Sequence, residues 1–133
     1  MKCKTNRKGF TLVELMITIG IVAILVALAV PSYSKYVLKA NRGEAQQLLL
    51  NWANNQEIWR ANHTLYADAD DIAAPVSDDY KYTFAVSDVT STTFTLTATP
   101  KSGTKQVNDK EHGTPCTALT LDQSNAKTPP ECW

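Results

Sequence analysis

From Phe10 to Val30 the chain reads FTLVELMITIGIVAILVALAV, 21 residues whose only charge is Glu14. A helix rises about 1.5 Å per residue, and about 20 apolar residues span a bilayer. A helix that is apolar all round needs lipid or packed neighbours. The nine preceding residues, MKCKTNRKG, carry Lys2, Lys4, Arg7 and Lys8 and no acid. Such a positive flank stays in the cytoplasm and sends the rest of the chain outward. Three readings follow. An ordinary secretory signal would be cut at Ala27-Leu28-Ala29 and release a soluble periplasmic binding module. A plain anchor would keep the helix in the membrane. The third reading starts from Glu14, because a carboxylate inside a membrane segment costs roughly 2.5–3.5 kcal/mol and needs a partner.

Lys8-Gly9-Phe10-Thr11-Leu12-Val13-Glu14, followed by the apolar run and Pro31, resembles the class III signal of type IV pilins and pseudopilins. The resemblance implies cleavage after Gly9 by a prepilin peptidase and N-methylation of the new terminus, Phe10. It also implies that Glu14 pairs with the terminal amine of a neighbouring subunit, which supplies the partner a buried carboxylate requires. Many pilins carry a glycine eight residues before the proline, within a stretch that loses helix in the filament. Here that position is Ala23, and the glycine is Gly20. Pro31 removes a backbone donor and disfavours helix at Val30, so local melting or a simple kink is expected there.

Residues 32–62 contain no strong breaker besides Gly43. Leu38, Ala45, Trp52 and Trp59 recur every seven residues, with Leu48, Leu49 and Gln56 near the same stripe. Lys39, Arg42, Gln46, Asn54, Glu57 and Arg60 fall on the opposite, polar face. The pattern predicts one helix from about Phe10 to Asn62, roughly 80 Å long at 1.5 Å per residue. Its second half requires a sheet against one side, and Trp52 and Trp59 are expected in that core. Tyr33 and Tyr36, just beyond the apolar run, suit a membrane interface.

Residues 63–79 contain Pro75 and five aspartates and read as a solvated loop. Asp68-x-Asp70-Asp71 lacks the glycine and bidentate glutamate of a calcium loop, so no metal site is expected. Three stretches alternate and favour β-branched or aromatic residues: Tyr80–Val86, Thr92–Thr99 and Thr117–Asp122. Phe94, Leu96 and Ala98 share one face of the second, and Leu119 and Leu121 one face of the third. This is the pattern of an antiparallel sheet over a helix. Lys101–Pro115 reads as a polar connection, and the tail Lys127–Trp133 shows no helix or strand pattern. The expected fold is therefore α+β, a long N-terminal helix packed on a small antiparallel sheet. Its segments are a leader 1–9, an apolar helix 10–31, an amphipathic half 32–62 and a sheet domain 63–133.

Cys3 lies in the leader, and Cys116 and Cys132 are separated by 15 residues. Export places the latter two in an oxidising compartment, where they are expected to form a disulfide contributing about 3 kcal/mol in the chain-entropy model. This is similar to the disulfide-bounded C-terminal loop of type IV pilins. Arg42-Gly43-Glu44-Ala45, Trp52–Tyr66, Thr93–Pro100, Cys116–Asp122 and the Cys132-Trp133 ending look like PilE-type minor pilins.

The whole chain has 13 basic and 13 acidic residues, but loss of the leader leaves nine against 13. A net charge of −4 argues against general nucleic-acid binding, while a local basic patch stays open. His63 and His112 lie in polar contexts, and no phosphate loop, nucleophile elbow or metal motif appears, so neither enzymatic activity nor a cofactor is expected. The resemblance implies a structural subunit of type IV pili, a minor pilin that primes or populates filaments used in twitching, adhesion and sometimes DNA uptake. Implied partners are other pilin subunits, prepilin peptidase and the inner-membrane pilus assembly machinery. The implied location is the bacterial inner membrane, then the cell-surface pilus. A major pilin and a type II secretion pseudopilin are the alternatives within that resemblance.

Overall fold

The computed structural model describes residues 9–77 and 81–133. The leader through Lys8, with Cys3, and Asp78, Asp79 and Tyr80 lie outside the described residues. Contacts divide the chain into two units, one ending at Lys35 and the other Tyr36–Trp133.

Helix α1 is Leu12–Arg60. Its start is chemically marked: the Glu14 backbone N–H donates to Thr11 Oγ1 at 3.2 Å. Thr11-x-x-Glu14 is thus the N-terminal half of a capping box. In the first unit every described residue is exposed, including Leu15, Ile17, Ile21 and Leu25. That stretch is long and apolar enough to cross a membrane. The helix is continuous through Gly20 and Pro31. Near Pro31, Ser34 Oγ donates back to the Val30 carbonyl at 3.2 Å, the i−4 back-bond of a helical serine.

In the second unit the helix buries Arg42, Ala45, Leu49, Trp52 and Gln56. The alternating spacings of three and four residues place these on one face. Trp52 is in the core as expected. Trp59 is not. It is half-buried and stacks on His63, with ring centroids 3.7 Å apart and planes 5° from parallel. The stripe ends at Gln56 because that side chain closes the helix end onto the next segment. Its amide donates to the Ala67 carbonyl at 2.9 Å and accepts from the Ala67 N–H at 2.8 Å.

Six strands follow: β1 (Tyr82–Ser87), β2 (Thr95–Pro100), β3 (Lys110–Glu111), β4 (Thr114–Pro115), β5 (Leu119–Asp122) and β6 (Lys127–Thr128). The main sheet has the order β1-β2-β5-β6, with every neighbouring pair antiparallel. Leu96 opposes Leu121 and Ala98 opposes Leu119. With Phe94 these four side chains are buried, so the predicted faces hold. Phe94 meets Tyr66 edge-on at 4.7 Å.

Three strand expectations are corrected. The second strand begins at Thr95 rather than Thr92, because Thr90 Oγ1 accepts the N–H groups of Thr92 at 3.1 Å and Thr93 at 2.9 Å. That turn consumes the donors a strand would need. The tail does contribute a strand, β6. Asp122 folds it back by accepting from Ser124 N at 2.8 Å and Ala126 N at 2.9 Å. The Ser124 and Ala126 hydrogen bonds hold the Asp122 carboxyl below its ordinary range. The polar connection 101–115 contains a 3-10 turn, Lys105–Asn108, and the β3–β4 ribbon. His112 and Gly113, at φ 48° and 90°, supply the two positive-φ positions that a two-residue hairpin demands.

Cys116 and Cys132 form a disulfide with Cα atoms 5.7 Å apart. Both are buried.

Candidate functional site

Gly9 and Phe10 precede the helix, and Phe10 is exposed. Glu14 lies in the first helical turn, where a carboxylate also complements the partial positive charge of the helix end. The Thr18 hydroxyl donates to the Glu14 carbonyl. Gly20 and Pro31 lie further along the same helix.

In the second unit the residue that organises the fold is Arg42, which the helical pattern assigns to the polar face. It is instead 3% exposed. Nη1 donates to Asp109 Oδ2 at 2.9 Å and to Cys116 Sγ at 3.2 Å, and Nη2 donates to Glu111 Oε2. The side chains of Arg42 and Asp109 retain only 4% and 5% of their exposure. A charge that deep requires paired, hydrogen-bonded partners. The Arg42 hydrogen bond holds the Glu111 carboxyl below its ordinary range, with help from Lys39 at 3.6 Å.

Gln106 continues the cluster. Its Nε2 lies 2.8 Å from Tyr82 Oη, 3.0 Å from the Leu38 carbonyl and 3.2 Å from Asp109 Oδ2, while Asn41 donates to its Oε1 at 3.0 Å. Burial and the Asp109 charge push the Tyr82 phenol up to about 12. The native state therefore holds this proton more tightly than the unfolded chain. The associated stability is complete below about pH 10 and is lost as pH climbs to about 12. At about 1.4 kcal/mol per unit, the loss is roughly 3 kcal/mol. Tyr82→Phe is expected to flatten this alkaline decline, measured as the urea midpoint against pH. An unchanged decline would assign it to other groups.

The acidic loop is organised by backbone donors. Asp68 Oδ1 accepts from Asp70 N at 2.8 Å and Asp71 N at 3.1 Å, and Asp71 Oδ2 from Asp68 N at 3.2 Å. His63 Nδ1 lies 2.9 Å from the Trp59 carbonyl, and His112 is exposed 3.9 Å from Glu111. Beside the Arg42 cluster a cleft of about 280 Å³ is lined by Lys39, Gly43, Gln46, Glu131 and Trp133, among others. Two of its polar side chains are engaged: Gln46 donates to the Cys132 carbonyl at 2.6 Å and Trp133 Nε1 to the Thr128 carbonyl at 3.2 Å. These hydrogen bonds tie the disulfide-bounded tail to the helix and to its own strand.

Comparisons with known proteins show what the chain is similar to. The family model described as the type IV minor pilin ComP, a DNA uptake sequence receptor, matches residues 31–120. The prokaryotic N-terminal methylation motif matches residues 4–30. The fimbrial protein EcpC of Eikenella corrodens is 37% identical over 106 residues, covering 74% of this chain and 66% of the relative. The type IV major pilin PilE1 of Neisseria gonorrhoeae is 40% identical over 76 residues, covering 56% and 36% respectively. The minor assignment therefore draws on the ComP match, since these PilE relatives are major pilins. A type IV pilin structure from Shewanella oneidensis aligns with a TM-score of 0.52 and 25% identity, covering 72% of this chain and 97% of that one. The chain spans about two thirds of the length of one of these sequence relatives and about a third of the other.

Proposed function

This chain belongs to the type IV pilins, in the family of the minor pilin ComP, and we propose that it is a minor pilus subunit taking part in DNA uptake. One observation carries the reading: a methylation motif over 4–30 runs directly into a minor-pilin match over 31–120. In this proposal prepilin peptidase cuts between Gly9 and Phe10, and Phe10 is methylated. The subunit waits in the inner membrane with its C-terminal unit in the periplasm, then enters a filament through the assembly machinery. Glu14 pairs with a neighbour's terminal amine, and the helix loosens between Gly20 and Pro31 as subunits pack. Leaving lipid is offset by reburial of the same apolar surface against other helices.

N-terminal sequencing of the mature protein tests the filament role, and methyl-Phe10 is the expected result. A start near Val30 would instead mean a released periplasmic protein. Quantification in sheared pili tests the minor role. The expected result is a small fraction of total pilin, and dominance over other subunits would make this a major pilin.

A further inference from the structure

The cleft beside the Arg42 cluster is lined by a glycine that the fold does not require. Gly43 lies inside α1 and is half-buried. In a helix interior glycine is less favourable than alanine, because it gives up more backbone freedom on folding. A positive φ, or a neighbour too close for a Cβ, would justify it within the subunit. Gly43 is helical, and a Cβ built on it would meet no atom within 4 Å. Since Gly43 lines the cleft, a side chain there would take up part of its volume of about 280 Å³. The missing side chain keeps the cleft open and lets an occupant approach the helix backbone.

The charges around the cleft define that occupant. Arg42 is buried against Asp109 and Glu111, and Lys39 lies 3.6 Å from Glu111. His112 also lies beside Glu111, at 3.9 Å. The basic groups of the lining are thus already matched to carboxylates. Glu131 is exposed, and among the described residues it has no ion-pair or hydrogen-bond partner. Gln46 spends its amide donor on the Cys132 carbonyl, which leaves Oε1 as an acceptor. Trp133 supplies an aromatic wall. Unmatched acceptors beside an apolar wall suit a lysine or arginine side chain. Its carbon stem can lie along Gly43 and Trp133 while its charged head meets Glu131.

We propose that this cleft receives a lysine or arginine side chain of a neighbouring pilin subunit, with Glu131 as its counter-ion. This deepens the filament reading above and rests on it. The carboxylate is held ready for the contact. Cys132, the next residue, is fixed by the disulfide to Cys116 and by Gln46 of the helix, so little freedom is lost on docking. Subunits already joined through their helices meet at high effective concentration, and one such ion pair then biases which neighbour is accepted.

The test expresses full-length variants and compares sheared pili with the membrane fraction by immunoblot, with thermal unfolding of each purified chain in detergent micelles. Gly43→Ala is expected to raise the unfolding midpoint, since it removes a helical glycine without a clash. Gly43→Phe fills the cleft and is expected to lower the pilus-to-membrane ratio on the order of tenfold. Glu131→Gln is expected to lower it several-fold, and Glu131→Lys at least as far as Gly43→Phe, because like charges then meet. Glu131 is exposed, so its variants keep the fold and decide the matter even where Gly43→Phe lowers the midpoint. Asp70→Asn, which removes an exposed acid elsewhere, is expected to enter pili at the wild-type ratio. An equal loss with Asp70→Asn would trace the effect to overall charge and overturn the proposal. Wild-type ratios for both Glu131 variants would mean that the occupant is not basic, and a wild-type ratio for a folded Gly43→Phe that the cleft stays empty in the filament; either result overturns the proposal. If the wild-type chain is itself missing from sheared pili, the filament reading falls instead.

Discussion

Arg42→Ala is expected to destabilise the second unit by roughly 3–5 kcal/mol, a large share of the 5–15 kcal/mol typical of a small domain. The cost arises from what is left behind. Asp109 remains buried with its carboxylate unpaired, and the hydrogen bonds to Glu111 and the Cys116 sulfur go with the guanidinium. Arg42→Lys is not a mild substitute, because one ammonium cannot reproduce the planar fork that reaches three acceptors. The pairing account makes a sharper claim than destabilisation alone. Arg42→Met combined with Asp109→Leu removes both charges and is expected to recover much of the loss. Urea unfolding followed by tryptophan fluorescence measures all of these. A single-variant cost below about 1 kcal/mol would mean that water already reaches the pair.

The same pair shows what the sequence conceals. Apolar periodicity locates the helix and the faces of β1, β2 and β5, because burial of Leu96, Ala98, Leu119 and Leu121 has a period that can be read directly. Arg42, Gln56 and Gln106 are also buried, yet each counts as polar in such a reading. Their burial depends on partners 67, 11 and 24 residues away, namely Asp109, Ala67 and Tyr82. No local pattern encodes a partner at that distance. One clue was available for Arg42: it lies three residues before Ala45 and ten before Trp52, on the apolar stripe itself. Trp59 errs in the opposite direction, being apolar by type and on the stripe by count but beyond the edge of the sheet core. The strand ends depend on hydroxyl and carboxylate turns at Thr90 and Asp122, local chemistry that alternation alone does not count.

At the other end of the molecule, Glu14 has two physical reasons to exist, and substitution separates them. Its place three residues after Thr11 suits a capping box, and its charge suits the helix N-terminus. Both are properties of one chain. The filament reading adds a third demand, a carboxylate to meet the amine of Phe10 from a neighbour, within a packed apolar bundle. Glutamine serves a capping box nearly as well as glutamate, so Glu14→Gln keeps the helix start while removing the charge. Cleavage after Gly9 depends on the leader and is expected to proceed in this variant. Incorporation into pili is expected to fall on the order of a hundredfold, since a buried ammonium without its partner costs about 3 kcal/mol or more. Glu14→Ala is expected to be at least as defective. Immunoblots of sheared pili against membrane fractions, with mass spectrometry of the processed N-terminus, read both steps. If Glu14→Gln assembles like the wild type while Glu14→Ala does not, the residue is needed as a helix cap and the amine pairing is wrong. If neither variant is impaired, both roles are wrong, and the filament must tolerate an uncompensated terminal amine by admitting water to it.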